Sequence, residues 1–169
     1  LYIMDIENHR ISKFDSFARY QFRWGSPGDG PGQFSDPGQM AIDAVGALYV
    51  VDRGNNRIQK FDAQGAFLQE FGSRGTNPVT LWNPNGVVID PADNIYVTDT
   101  GNHRVVKFSS AGKLIGIWGS PGIGAGEFTS PSSITASASG DQVYVMDQGN
   151  SRIHRYDKVG VFLDASGTE

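Results

Sequence analysis

The chain contains no cysteine, so a disulfide framework, a thiolate metal site and a cysteine nucleophile are all excluded. It has no apolar run approaching the roughly 18 residues that a membrane-crossing helix needs, and Leu1 to Arg10 do not read as a signal peptide. It has no excess of positive charge. A formal net charge of -4 gives no general attraction for phosphate backbones, so indiscriminate nucleic-acid binding is disfavoured, although a local basic patch remains compatible with that balance. Helical periodicity is missing as well: no stretch of about ten residues keeps a helical pattern, which argues against βαβ units and leucine-rich solenoids.

What the chain does have is glycine and repetition. Twenty-two glycines stand beside 8 prolines, and a 38% hydrophobic and 19% charged content suits a turn-rich globular β protein. The segment Leu48 to Ile58 (LYVVDRGNNRI) returns 47 residues later as Ile95 to Val105 (IYVTDTGNHRV). It is preceded by Leu1 to Ile11 and followed by Val143 to Ile153, the last spacing being 48. Pro37, Pro84 and Pro131 keep the same register, as do Phe34, Leu81 and Phe128, and Trp24, Phe71 and Trp118. The whole chain therefore repeats.

Within the second repeat, runs of β-branched and aromatic residues predict strands over Gln39 to Asp43, Ala47 to Asp52, Arg57 to Asp62 and Ala66 to Phe71, with hairpin turns between them. A lone four-stranded sheet cannot cover its apolar faces, and blades of this length cover them by stacking radially as a β-propeller. The expected fold is one all-β domain over 1–169 made of four-stranded antiparallel blades, approximately 1–34 (lacking its innermost strand), 35–81, 82–128 and 129–169, or about 3.75 blades. An arc of this kind is expected to have its remaining blades supplied by the rest of a longer chain or by another subunit.

The succession Pro-x-Gly-Val-x-x-Asp, Ile-Tyr-Val-x-Asp-x-Gly-Asn-His-Arg-Val, Gly-x-Phe-Leu-x-x-Phe-Gly resembles the NHL repeat family, most closely from Pro84 to Val87 and on to Asn102, His103, Arg104 and Val105. The resemblance implies a ring of six blades. The near-consensus repeats are more similar to those of bacterial NHL proteins, often found outside the cytoplasm, than to specialised animal members. The family includes protein-interaction domains, extracellular sensors, RNA-binding modules and a zinc-dependent amidating lyase, so fold alone does not give activity. The expectation is a non-catalytic scaffold that recognises a protein, peptide or glycan. The alternatives are a metal-dependent lyase or hydrolase with its site in blades outside this chain and, third, an RNA-binding domain.

The pairs Asp5/Arg10, Asp52/Arg57, Asp99/Arg104 and Asp147/Arg152 bracket a four-residue turn and are expected to fix it in the same way in every repeat. Asn8, Asn55, Asn102 and Asn150 are expected to take the unusual turn dihedrals. The position before each arginine varies between His9, Asn56, His103 and Ser151, as an exposed position would. By resemblance, the turn between second and third strands and the loop to the next blade share the ligand face, which places Glu7, His9, Arg53, Asn56, Arg74, His103 and Gln148 there as candidate contacts. Trp82, in the one linker rich in side chains (Arg74 to Trp82), joins them.

No cofactor is expected, with a calcium or zinc in the central channel kept as the alternative. The family's lyase carries its metal histidines directly after the proline of the innermost strand, and here those positions are Gly38, Asn85 and Ser132. The glycine-rich stretches Gly28 to Gly32 and Gly122 to Gly126 lead into no helix and read as linkers rather than phosphate cradles. Asp43 and Asp90 end innermost strands and read as turn-formers, with Asp141 near the equivalent turn.

Overall fold

A computed structural model describes residues 1–167. The chain builds four antiparallel sheets in sequence order. The first holds β1 (Tyr2–Asp5), β2 (Arg10–Phe14) and β3 (Tyr20–Trp24), and is linked to the second by a short parallel pair, β4 (Ser26–Pro27) and β5 (Gln33–Phe34). The second holds β6 (Pro37–Ile42), β7 (Leu48–Asp52), β8 (Arg57–Phe61) and β9 (Phe67–Phe71). The third holds β10 (Val87–Ile89), β11 (Ile95–Asp99), β12 (Arg104–Phe108) and β13 (Leu114–Trp118), and the fourth β14 (Pro131–Ala136), β15 (Gln142–Asp147), β16 (Arg152–Asp157) and β17 (Phe162–Gly167). Each sheet is an up-and-down meander, the first with three strands and the others with four. The end of the fourth repeat at 169 lies outside the described residues.

The sheets stack face to face, and this explains a feature that ordinary half-buried strands lack. Every residue of β7 and of β11 is buried, because each of these strands is covered on both sides by a neighbouring blade. Three apolar clusters mark the junctions. Ile11, Leu48, Val50 and Phe61 with Trp24 lie between the first two sheets. Tyr49, Val51, Ile58, Val97, Val106 and Phe108 lie between the second and third. Tyr96, Val105, Trp118, Val143, Val145 and Tyr156 lie between the third and fourth. Burying a side chain such as Ile58 fully contributes about 1.5–3 kcal/mol, so these junctions hold the arc together.

Each linker adds an apolar plug to its junction. Phe34, Leu81 and Phe128 are fully buried, and each packs on a glycine of the preceding blade with positive φ: Gly25 (102°), Gly72 (90°) and Gly119 (96°). A Cβ on these glycines would come within 2.8 Å of Phe34, 2.7 Å of Leu81 and 2.6 Å of Phe128, so both the backbone angle and the packing require glycine. The expected strands of the second repeat agree with the observed ones to within two residues at each end. The pairing of the last two strands slips at one equivalent point in all four sheets, between Lys13 and Phe14, Lys60 and Phe61, Lys107 and Phe108, and Arg155 and Tyr156. These recurrent bulges add local twist to the outer edge of each blade.

One expected feature is displaced by a residue. The recurring asparagines do not carry the left-handed dihedrals; the next residue does, at His9 (50°), Asn56 (56°), His103 (54°) and Ser151 (53°). The chain has to reverse at the last position of the four-residue turn, which leaves each asparagine free to use its side chain instead.

Candidate ligand face

The turn between the second and third strands of each blade is organised by a buried carboxylate. In the second blade Asp52 accepts from the backbone N–H of Ser35 (2.8 Å), Asn55 Nδ2 (2.9 Å), Arg57 Nε (2.8 Å) and Gln59 Nε2 (2.9 Å). In the third, Asp99 accepts from Trp82 N–H (2.6 Å), Asn102 Nδ2 (2.7 Å) and Arg104 Nε (2.7 Å). Burial pushes the Asp99 carboxyl upward against the pull of these donors. In the first blade the network is Asp5 with Asn8 and Arg10, more exposed, and the Asn8 amide holds that carboxyl low.

The same side chains tie down the linkers. Asn55 donates to Gly28 O, Asn102 to Gly75 O and Asn150 to Gly122 O. Arg57 donates to Gly30 O and Gln33 O, and Arg104 to Asn77 O and Thr80 O. The glycine-rich linkers thus turn carbonyls inward to meet arginine, the opposite polarity from a phosphate cradle.

The fourth blade departs from this scheme, contrary to the expectation of four equal pairs. Arg152 donates to Ile123 O and forms no ion pair with Asp147. Asp147 accepts from Ser130 N–H (2.7 Å), Thr129 N–H (2.8 Å) and Asn150 Nδ2 (2.6 Å), and the imidazole of His154 stands by it with Nε2 at 3.9 Å.

The predicted contact residues spread along this face. Glu7 and His9 stand on the first blade's turn, where His9 Nδ1 is buried without a partner. Arg53 is half-buried and paired to Asp36 at 3.0 Å. Asn56 bridges blades, its Oδ1 accepting from the N–H of Asn83 at 2.8 Å. Arg74 and Gln148 are exposed. Trp82 is 45% exposed, and its indole lies on Gly101, where a Cβ would come within 2.8 Å of the ring. His103 Nδ1 sits 2.9 Å from Thr129 O. The structure therefore brings Asn56, Asn83 and Trp82 together above the second and third blades, and His103 with the linker into the fourth. His9 and His103 lie on different blades, and among the described residues no group of three His, Asp or Glu side chains converges as a metal site would require. The position before each arginine is also less open than expected: His9, Asn56 and His103 are half-buried and only Ser151 is exposed, because a left-handed residue tucks its side chain against the linker.

The opposite face is closed by its own turns. Asp43 accepts from Val45 and Ala47 N–H, and Asp90 from Ala92 and Asn94 N–H, which makes both turn-formers. Their outer oxygens reach Tyr49 (3.3 Å) and Tyr96 (2.9 Å). Lys60 and Lys107 lie over those two rings, each 4.8 Å from the centroid. Burial lowers the Lys107 ammonium, whereas the Tyr49 and Asp43 partners outweigh burial and raise Lys60. A hollow of about 440 Å³ opens here between the third and fourth blades, lined by Asn94, Lys107, Asp141 and Lys158 among others.

With the repeat geometry in place, comparison with known proteins gives it a name. The NHL repeat family profile matches residues 34–61 and 81–108, the turn networks of the second and third blades included. These are NHL repeats. No curated protein matches the chain in sequence. Solved structures superpose along nearly its full length. The Staphylococcus aureus virginiamycin B lyase aligns at TM-score 0.74 and 17% identity over 99% of this chain and 52% of its own. A streptogramin B lyase aligns at 0.76 and 17% over 99% and 50%, and the Kuenenia stuttgartiensis hydrazine synthase at 0.74 and 14% over 99% and 45%. At these identities the likeness shows the propeller fold, and the chain spans about half the length of the structures it matches. Among the described residues no helix is long and apolar enough to cross a membrane.

Two features of the face were missed from sequence: the plug residues as anchors of the linkers, and the buried His154. The signal for the second was present in the series Ser12, Gln59, Val106, His154, which varies at a position where neighbouring columns hold steady.

Proposed function

We propose that this NHL arc is a non-catalytic binding module that takes a protein, peptide or glycan on the face formed by the second-to-third-strand turns and the blade linkers. The observation that carries the reading is Trp82. At its position the neighbouring blades have Ser35 and Thr129, whose backbone N–H groups do the same structural work for Asp52 and Asp147. The turn does not require an indole here, and a half-exposed aromatic next to the Arg74–Leu81 bridge is the kind of surface that stacks on a sugar ring or anchors an extended peptide. The net charge of -4 disfavours the RNA-binding version. Screening the protein against glycan and peptide arrays tests the proposal. Ligands retained by the wild type should be lost by the Arg74→Ala/Trp82→Ala variant, and retention of every ligand by that variant would remove the face from consideration.

The likeness to two lyases supports a second reading, a metal-dependent lyase or hydrolase with its site in blades outside this chain and zinc or calcium at the channel as its cofactor. Lyase activity of the protein on a streptogramin B, together with stoichiometric metal, would favour it over the binding module.

A further inference from the structure

His154 is fully buried at the junction of the third and fourth blades, and neither ring nitrogen has a hydrogen-bond partner. Its ring packs among Phe128 (centroids 5.0 Å apart), Phe162 (5.8 Å) and Tyr156 (6.3 Å, parallel). The equivalent position in the second blade is Gln59, whose amide bonds Asp52 and Gln33 O, and in the third blade is Val106, which asks for no partner. Each of those blades also gives its turn aspartate an arginine. The fourth blade gives Asp147 none, and places an ionisable imidazole 3.9 Å away instead. Asp147 in turn holds the linker through the N–H groups of Thr129 and Ser130.

We propose that this junction is an acid-sensitive latch: the fourth blade and its linker are held closed while His154 is neutral and loosen when it takes up a proton. The charged and titratable groups around the ring are Asp147 from β15, and Arg152 and Tyr156 from β16. The linker presents Phe128 and β17 presents Phe162, both uncharged, while Trp118 of the third blade packs on Tyr156. Burial is the dominant influence and lowers the imidazole below its ordinary 6.5, Asp147 opposes it, and Arg152 reinforces it. The folded junction therefore disfavours the proton. Its stability is full above pH 6.5 and falls as acid protonates the open state, until the folded imidazole itself titrates. Because His103 Nδ1 touches Thr129 O on the same linker, the latch reaches the loop face, but it needs no ligand to operate and does not depend on the function proposed above.

Hydrogen exchange of the β15 and β16 amides, corrected for intrinsic rates, tests the latch on the protein as it stands. Between pH 7.5 and 5.5 the opening of the fourth blade should increase severalfold, with about tenfold as the ceiling for a proton excluded entirely from the folded state, while β7 and β8 change little. His154→Gln and His154→Val install residues that sibling blades already accommodate, and both should flatten the dependence. His9→Gln, on the first blade, should leave it intact. Carbon-detected titration of the wild-type imidazole gives an independent reading. A midpoint at or above 6.5, an opening that does not rise in acid, or an unchanged slope in His154→Gln would each overturn the proposal.

Discussion

The two faces of the arc are built by opposite means. On the turn face, Asp43 and Asp90 each close a three-residue reversal with two backbone N–H bonds and reach a tyrosine, and Asp15, Asp62 and Asp157 close the outer turns in the same way. These contacts are local, each spanning a few residues. On the loop face, Asp52 and Asp99 gather groups from the turn, the third strand and a linker 17 residues back. The loop face is thus the one where the carboxylates tie each blade to its linker, whereas blades are bridged on the turn face by lysines, Lys13 to Ala63 O and Lys107 to Lys158 O; the loop face is also where side chains differ from repeat to repeat. A surface whose frame is held by recurrent backbone-directed bonds can change its outward side chains at little cost, which is why the variable residues Arg74, Trp82 and His103 are the candidates for recognition.

That contrast can be broken by substitution, and the largest effect is expected at the shared frame. Asp52→Ala removes the common acceptor of Ser35 N–H, Asn55, Arg57 Nε and Gln59, with Arg57 still paired to Glu70, and should cost more than about 3 kcal/mol in urea unfolding, at about 1–3 kcal/mol for each buried donor left unmade. Asp5→Ala, at the exposed end of the arc, should cost far less, and equal losses would mean that burial does not set the strength of these networks. Next comes the plug. Gly72→Ala puts a methyl 2.7 Å from Leu81 at a φ of 90° and should cost about 1–3 kcal/mol, partly recovered in Leu81→Ala if the clash rather than the dihedral dominates. On the turn face, Tyr96→Phe removes one bond to Asp90 and should cost about 0.5–1.5 kcal/mol. The smallest change is expected at Trp82→Ser, which installs the second blade's residue and should move stability by less than about 0.5 kcal/mol. A large loss there would assign the indole to the fold instead of to a ligand.

Much of this frame is legible in the sequence because its chemistry is local. A 47-residue recurrence of Asp, Gly, Asn and Arg marks turns that nearly any context would form, and strands between them follow from β-branched runs. The left-handed residue was misplaced by one because Asn55 and Asn56 are both able to adopt it, and only the path of the chain decides. The plugs Phe34, Leu81 and Phe128 were visible as a register but not as anchors, since what they pack on, a glycine nine residues upstream, is set by the stacking of blades. His154 was hardest. Its burial depends on which side of β16 faces the third blade, and its meaning depends on Arg152 having turned to Ile123.

The claim that recurrent residues build the arc and variable loop-face residues recognise its partner is tested most directly by measuring the affinity of an array-selected ligand for two variants. One is Arg74→Ala/Trp82→Ala on the loop face; the other is Asp141→Ala/Lys158→Ala on the turn face, beside its hollow. The account predicts at least about a tenfold loss, about 1.4 kcal/mol, for the first with unchanged melting, and none for the second. Loss confined to the turn-face variant would contradict it.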